Sequence, residues 1–151
     1  MKQRSKDDLI KASDAFFYEI SMLNACAKTY HGCARNSFLF SQFTQNVLIE
    51  SFCVHLRNVI EFFGRQKKDY ITYEYFIASD KSVGFPHSLS KEYNEKINNL
   101  LSHLTFARLK FKQIEKRWPL SKIANEVNEN LQEFLRNADS SLLCDKLKDY
   151  M

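Results

Sequence analysis

An all-α fold follows from three features of this chain. Its 151 residues include three Gly (32, 64 and 84) and two Pro (86 and 119), too few breakers for a fold of many strands and turns. Apolar residues recur at helical spacing over long stretches. Thirteen Phe and seven Tyr supply the large side chains that fill space between packed helices. The predicted architecture is a four-helix bundle with an additional short carboxyl-terminal helix and a long aromatic loop between helices two and three. Length sets a single helical-bundle domain over residues 1–151, long enough to bury roughly 70% of the surface its unfolded chain exposes.

The first helix is expected from about Asp7 to Tyr30. Ser5-Lys-Asp-Asp8 has the S-x-x-D form of a capping box, and its acidic residues complement the amino-terminal end of the dipole. Leu9, Phe16, Ile20, Leu23 and Ala27 repeat along one face, and Gly32 offers a carboxyl cap. A second helix is expected from about Ser37 to Gly64. Leu48, Phe52, His55, Val59 and Phe62 form one stripe; Ile49, Cys53, Leu56, Ile60 and Phe63 form its neighbour. At about 100° per residue the two merge into an apolar arc about half the circumference wide, the pattern of a central helix.

Residues 65–89 are the least regular. Tyr70, Thr72, Tyr73, Tyr75, Phe76 and Ile77 suit a short strand-like run or an ordered loop, and packing by its own aromatics is the expected reason for so long a connection. Ser88 or Ser90 caps a third helix that reaches to about Trp118, with Tyr93, Ile97, Leu100, Leu101, Leu104, Ala107 and Phe111 on one face. Pro119 suits the first turn of the next helix, whose Ile123, Val127, Leu131 and Phe134 carry it to about Arg136. Asp139-Ser-Ser then caps a short terminal helix bearing Leu143 and Leu147.

A net charge of +4 permits weak attraction to phosphate, but nucleic-acid domains concentrate more charge on one face. Basic residues thicken at Arg65–Lys68 and Arg108–Arg117, where solvated helix faces account for them. Cys26, Cys33, Cys53 and Cys144 lack C-x-x-C spacing and fit free thiols in a reducing compartment. The opening residues Met1–Asp8 are charged, with no apolar run behind them. The expectation is therefore neither signal peptide nor membrane anchor, a cytoplasmic location and no membrane partner.

Function concentrates on two helices with polar residues beside apolar faces. His55 lies inside the arc of the second helix. It is either a core histidine bonded to a hydroxyl or carbonyl, or an imidazole poised as acid, base or ligand. Arg57, Glu50 and Glu61 project from the opposite side, with Arg57 and Glu61 one turn apart. If the aromatic loop or a second subunit covers that face, these residues become a partly desolvated site. On the third helix, His103 borders the apolar face, Arg108 projects into it, and Thr105 can bond back to its own helix. His55, Arg57, His103 and Arg108 are thus the catalytic candidates, able to cradle a phosphate or a scissile RNA linkage; Asn58, Glu61 and Thr105 are binding candidates. No nucleophile or Gly-rich phosphate loop accompanies them. No metal or cofactor is expected, because E-x-x-H pairs and zinc-ligand spacings are missing.

Glu50-Ser-Phe-x-x-His-x-Arg-Asn-x-Ile-Glu-Phe-Phe63, followed by Ile97-Asn-x-x-x-Ser-His-Leu-Thr-Phe-Ala-Arg-Leu109, resembles a group of small uncharacterised bacterial proteins. They carry similar H-x-R-N and A-H-L-T segments, an aromatic-acidic linker and a following Trp. Ile77–Asp80 and Trp118 agree with that layout. More distantly, Arg57-Asn58 resembles the start of the HEPN motif, R-N-x(4–6)-H. That resemblance implies a helical bundle, a homodimer, a role in defence, and RNA or a nucleotide as ligand. The chain departs from the motif where its His belongs: Phe63 and Gly64 stand there, and His103 would have to substitute from another helix. The leading expectation is a cytosolic helical-bundle interaction or ligand-binding module, HEPN-like. Its rivals are a metal-independent ribonuclease using His and Arg of the central helices, and a non-catalytic structural partner subunit.

Overall fold

The computed structural model describes residues 4–34, 42–64, 70–85, 89–99 and 118–151. The fold is all-α: no strand occurs among the described residues, where an isolated antiparallel bridge joins Ile77 to Ala138. Helix α1 (Lys6–Ala34) starts at the predicted cap, where the Ser5 hydroxyl accepts the Asp8 amide at 3.1 Å. It continues past Tyr30 and through Gly32. A glycine inside a helix costs about 1 kcal/mol, and Gly32 is exposed with open space around it, so no close contact requires it to cap.

Helix α2 (Gln42–Phe63) buries Phe52, Cys53, His55, Leu56, Val59, Ile60, Phe62 and Phe63, matching most of the predicted arc. It packs chiefly along α1. Gly64 follows, its amide donating to the Glu61 carbonyl at 3.2 Å. A Cβ there would press on the carbonyl oxygens of Ile60 and Glu61 at 3.3 Å.

The aromatic connection is ordered by packing rather than as a strand. Thr72 and Phe76 are buried around a short 3₁₀ turn, Tyr73–Tyr75. The third helix enters through a π-helical turn (Leu89–Tyr93) into α3 (Asn94–Ile97); residues 100–117 of its predicted length, with His103, Thr105 and Arg108, lie outside the described residues. Helix α4 (Leu120–Asn137) has Pro119 at its cap rather than in its first turn, and the Pro119 carbonyl accepts the Ile123 amide at 3.0 Å. Asp139 caps a 3₁₀ turn (Ser140–Leu142), and only then does the terminal helix α5 (Asp145–Lys148) begin. Leu143 and Leu147 are fully buried as expected.

Phenylalanines join these elements. Phe16 of α1 stacks on Phe62 of α2 at 3.7 Å between ring centroids, while the Phe134 ring of α4 stands nearly perpendicular to both. Phe76 of the connection closes on Phe62 and Phe134. Polar contacts set the register: Asn24 and Asn128 exchange two amide bonds at 3.0 Å between α1 and α4. The Ser13 hydroxyl accepts the Cys144 amide at 2.7 Å, fastening the terminal segment to α1. No described helix is long and apolar enough to cross a membrane.

Candidate functional site

Of the sequence-derived candidates, those on α2 divide between two faces. His55 points inward and is 8% exposed. Its Nδ1 lies 2.7 Å from Oε2 of Glu19 on α1, and the Tyr18 ring meets the imidazole edge-on. A carboxylate so placed fixes the ring orientation and favours a proton on Nδ1. The partner is a carboxylate, not the hydroxyl or carbonyl expected of a core histidine. Glu19 had a signal in the sequence: it is three residues after Phe16 and four before Leu23, on the shoulder of the buried face of α1.

The outward face of α2 carries Arg57, with Nε 3.4 Å from Oε1 of Glu61 one turn on. The predicted i,i+4 pair forms, at a separation and exposure that make it worth only a few tenths of a kcal/mol. The aromatic connection flanks this face. Tyr70 and Ile97 border a groove of about 520 Å³ over Glu50, Val54, Arg57 and Glu61. The start of α3 therefore does reach the Arg57 side of α2. A second hollow of about 330 Å³, lined by Glu19, Asn58, Glu61, Phe16 and Tyr70, lies between α1 and α2. Asn58 and Glu61 belong to both hollows. His55 lines neither and stands behind Glu19. Arg57 and His55 thus occupy different sides of one helix, and the convergence of either with His103 or Arg108 falls outside the described residues.

Chemically, the groove offers two carboxylates, one guanidinium already engaged by Glu61, an amide and an apolar floor. Among the described lining residues, carboxylates outnumber the guanidinium. Cys53 borders the groove, but burial pushes its thiol well above the usual range, so it stays protonated and is no nucleophile. Among the described residues, no group of three or more His, Cys, Asp or Glu side chains could hold a metal ion.

Sequence reasoning on the apolar arc overlooked a second pattern. Phe43, Val47, Glu50, Val54, Arg57 and Glu61 are separated by four and three residues alternately. This is the spacing of a coiled-coil seam. The seam faces outward: Phe43 is 76% exposed, Val47 46% and Val54 59%. Among the described residues, exposed apolar side chains repeated along one helix face are an interaction feature. No protein family, curated protein or solved structure matches this chain, and the site is read from its own geometry.

Proposed function

We propose that this chain is a helical interaction module whose working surface is the outward seam of α2. The observation carrying this reading is the 4–3 spacing of exposed Phe43, Val47 and Val54, continued by Glu50, Arg57 and Glu61 into the groove beside Tyr70 and Ile97. A helix laid along such a seam inserts side chains every three to four residues, the helix-in-groove mode of recognition. Glu19 and His55 support the surface from beneath by tying α1 to α2. A HEPN-like, defence-associated cytosolic role is compatible with this reading. The ribonuclease alternative draws less support, because His55 is turned from the groove and bonded to Glu19.

A photo-crosslinking amino acid placed at Val54, with a control at exposed Glu129 on α4, tests the reading in the cells that make the protein. A specific covalent protein adduct from position 54 and none from position 129 is the expected result. Equal or absent adducts at both positions would end the reading. An RNA panel cleaved by the purified chain, with cleavage lost in Arg57→Ala and His103→Ala, would favour the ribonuclease instead.

A further inference from the structure

Apart from the seam, the geometry points to a binding site for an organic cation, an ammonium on an aliphatic arm, in the hollow between α1 and α2. The hollow follows from the register of the two helices. Ala12, Ala15, Phe16 and Glu19 share one stripe of α1, and Asn58, Glu61 and Phe62 share one stripe of α2. Residues three and four apart on a helix are neighbours on its surface, so each stripe lines the hollow as a unit. The methyl side chains at positions 12 and 15 leave space that larger residues would fill. That space is about 330 Å³, at the lower end of the range for small-molecule sites.

The lining decides what fits. Phe16 and Phe62, stacked and buried, form an apolar floor. Exposed Tyr70 and Ile71 of the connection form the rim. Glu19 and Glu61 enter from the two helices, and the described lining residues include no Lys, Arg or His. Each carboxylate is held by one oxygen. Oε2 of Glu19 lies 2.7 Å from Nδ1 of buried His55, and Oε1 of Glu61 lies 3.4 Å from Nε of Arg57. The second oxygen of each remains an acceptor. An ammonium carries three donors, which suit these carboxylates and the Asn58 amide oxygen, and aromatic faces attract cations as well. The aliphatic arm then lies on the phenylalanine floor. A neutral ligand of the same shape would leave the carboxylates shielded from water without compensation.

Isothermal titration calorimetry of the full chain tests the assignment, with helical content followed by circular dichroism. The probes are hexylamine, hexanol, hexanoate and an end-blocked lysine. Hexylamine is expected to bind at one site, and hexanol and hexanoate about tenfold more weakly or not at all. Glu61→Gln preserves size and removes the charge, so it should weaken hexylamine binding by about tenfold. Glu19→Gln also disturbs the contact with His55; Ala15→Leu, at an exposed position of α1, provides the independent variant. It should fill the hollow and abolish binding with the helical content unchanged. Tighter binding of hexylamine than of the blocked lysine assigns the site to a free amine, and the reverse assigns it to a lysine side chain of a protein partner; either order supports the cation site. Hexanol binding as tightly as hexylamine, no binding of either ammonium probe, or unchanged affinity in a folded Ala15→Leu protein would overturn the inference. Val54 does not line this hollow, so that failure would leave the seam reading standing.

Discussion

The Glu19–His55 contact ties a sequence-derived candidate on α2 to the neighbouring helix α1. Both side chains are largely shielded, and 2.7 Å is short for a bond between a ring nitrogen and a carboxylate. Removing one partner leaves the other desolvated without compensation, which costs more than the bond contributes. Glu19→Ala is therefore expected to destabilise the chain by about 1–3 kcal/mol. The double variant Glu19→Ala, His55→Leu should lose less than the sum of the two single changes, as partners in one contact do. Urea denaturation of the four proteins measures the coupling, and strict additivity would show that the contact carries no energy of its own. Only half of this arrangement was legible in the chain. Position 55 could be placed on the buried face from periodicity. Its partner, 36 residues earlier, could be placed on the shoulder of the buried face of α1, but the pairing becomes visible only when α1 and α2 are set side by side. Arg57–Glu61 was legible because the helix itself brings residues four apart together.

At the scale of elements, the interior patterns of the helices were readable, as was the Ser5 start of α1, while several other ends were not. Gly32 looked like a cap, yet α1 runs through it because nothing nearby demands a left-handed residue. Tyr70–Ile77 suited either a strand-like run or an ordered loop, and it settles by the expected packing, through buried Thr72 and Phe76, with an isolated bridge from Ile77 to Ala138. The Asp139 cap was read correctly as a start signal, but the turn it starts is 3₁₀, and the terminal helix comes later. That cap has a pH signature. The Ser141 amide donates to the Asp139 carboxylate at 2.9 Å and, with the Ser141 side chain, lowers its pKa from 3.8. A lowered folded-state value means the cap's contribution is complete above the ordinary carboxylate range and is lost as pH falls through the lowered value. The Ser141 amide proton, followed by NMR from neutral pH to about pH 2, should therefore move with a midpoint below 3.8. In Asp139→Asn, which keeps an acceptor but cannot titrate, the same step should vanish. A midpoint at or above the ordinary value, or an unchanged step in the variant, would refute the cap's charge dependence.

For the whole molecule, two phenylalanines make opposite statements about what the chain's apolar surface is for. Phe134 is fully buried, its ring nearly perpendicular to those of Phe16, Phe62, Phe63 and Phe76, so it joins α1, α2, α4 and the connection at one point. Phe134→Ala should cost about 3–5 kcal/mol, because the cavity it leaves touches every one of those elements. Phe43 is 76% exposed, and Phe43→Ala should change the stability of the isolated chain by less than about 0.5 kcal/mol. Composition announced both as bundle-filling aromatics; periodicity separates them, since Phe43 falls on the seam opposite the buried arc of α2. Urea denaturation of the two variants beside the wild type measures the difference. A Phe43→Ala loss as large as that of Phe134→Ala would show that the Phe43 ring belongs to the core after all.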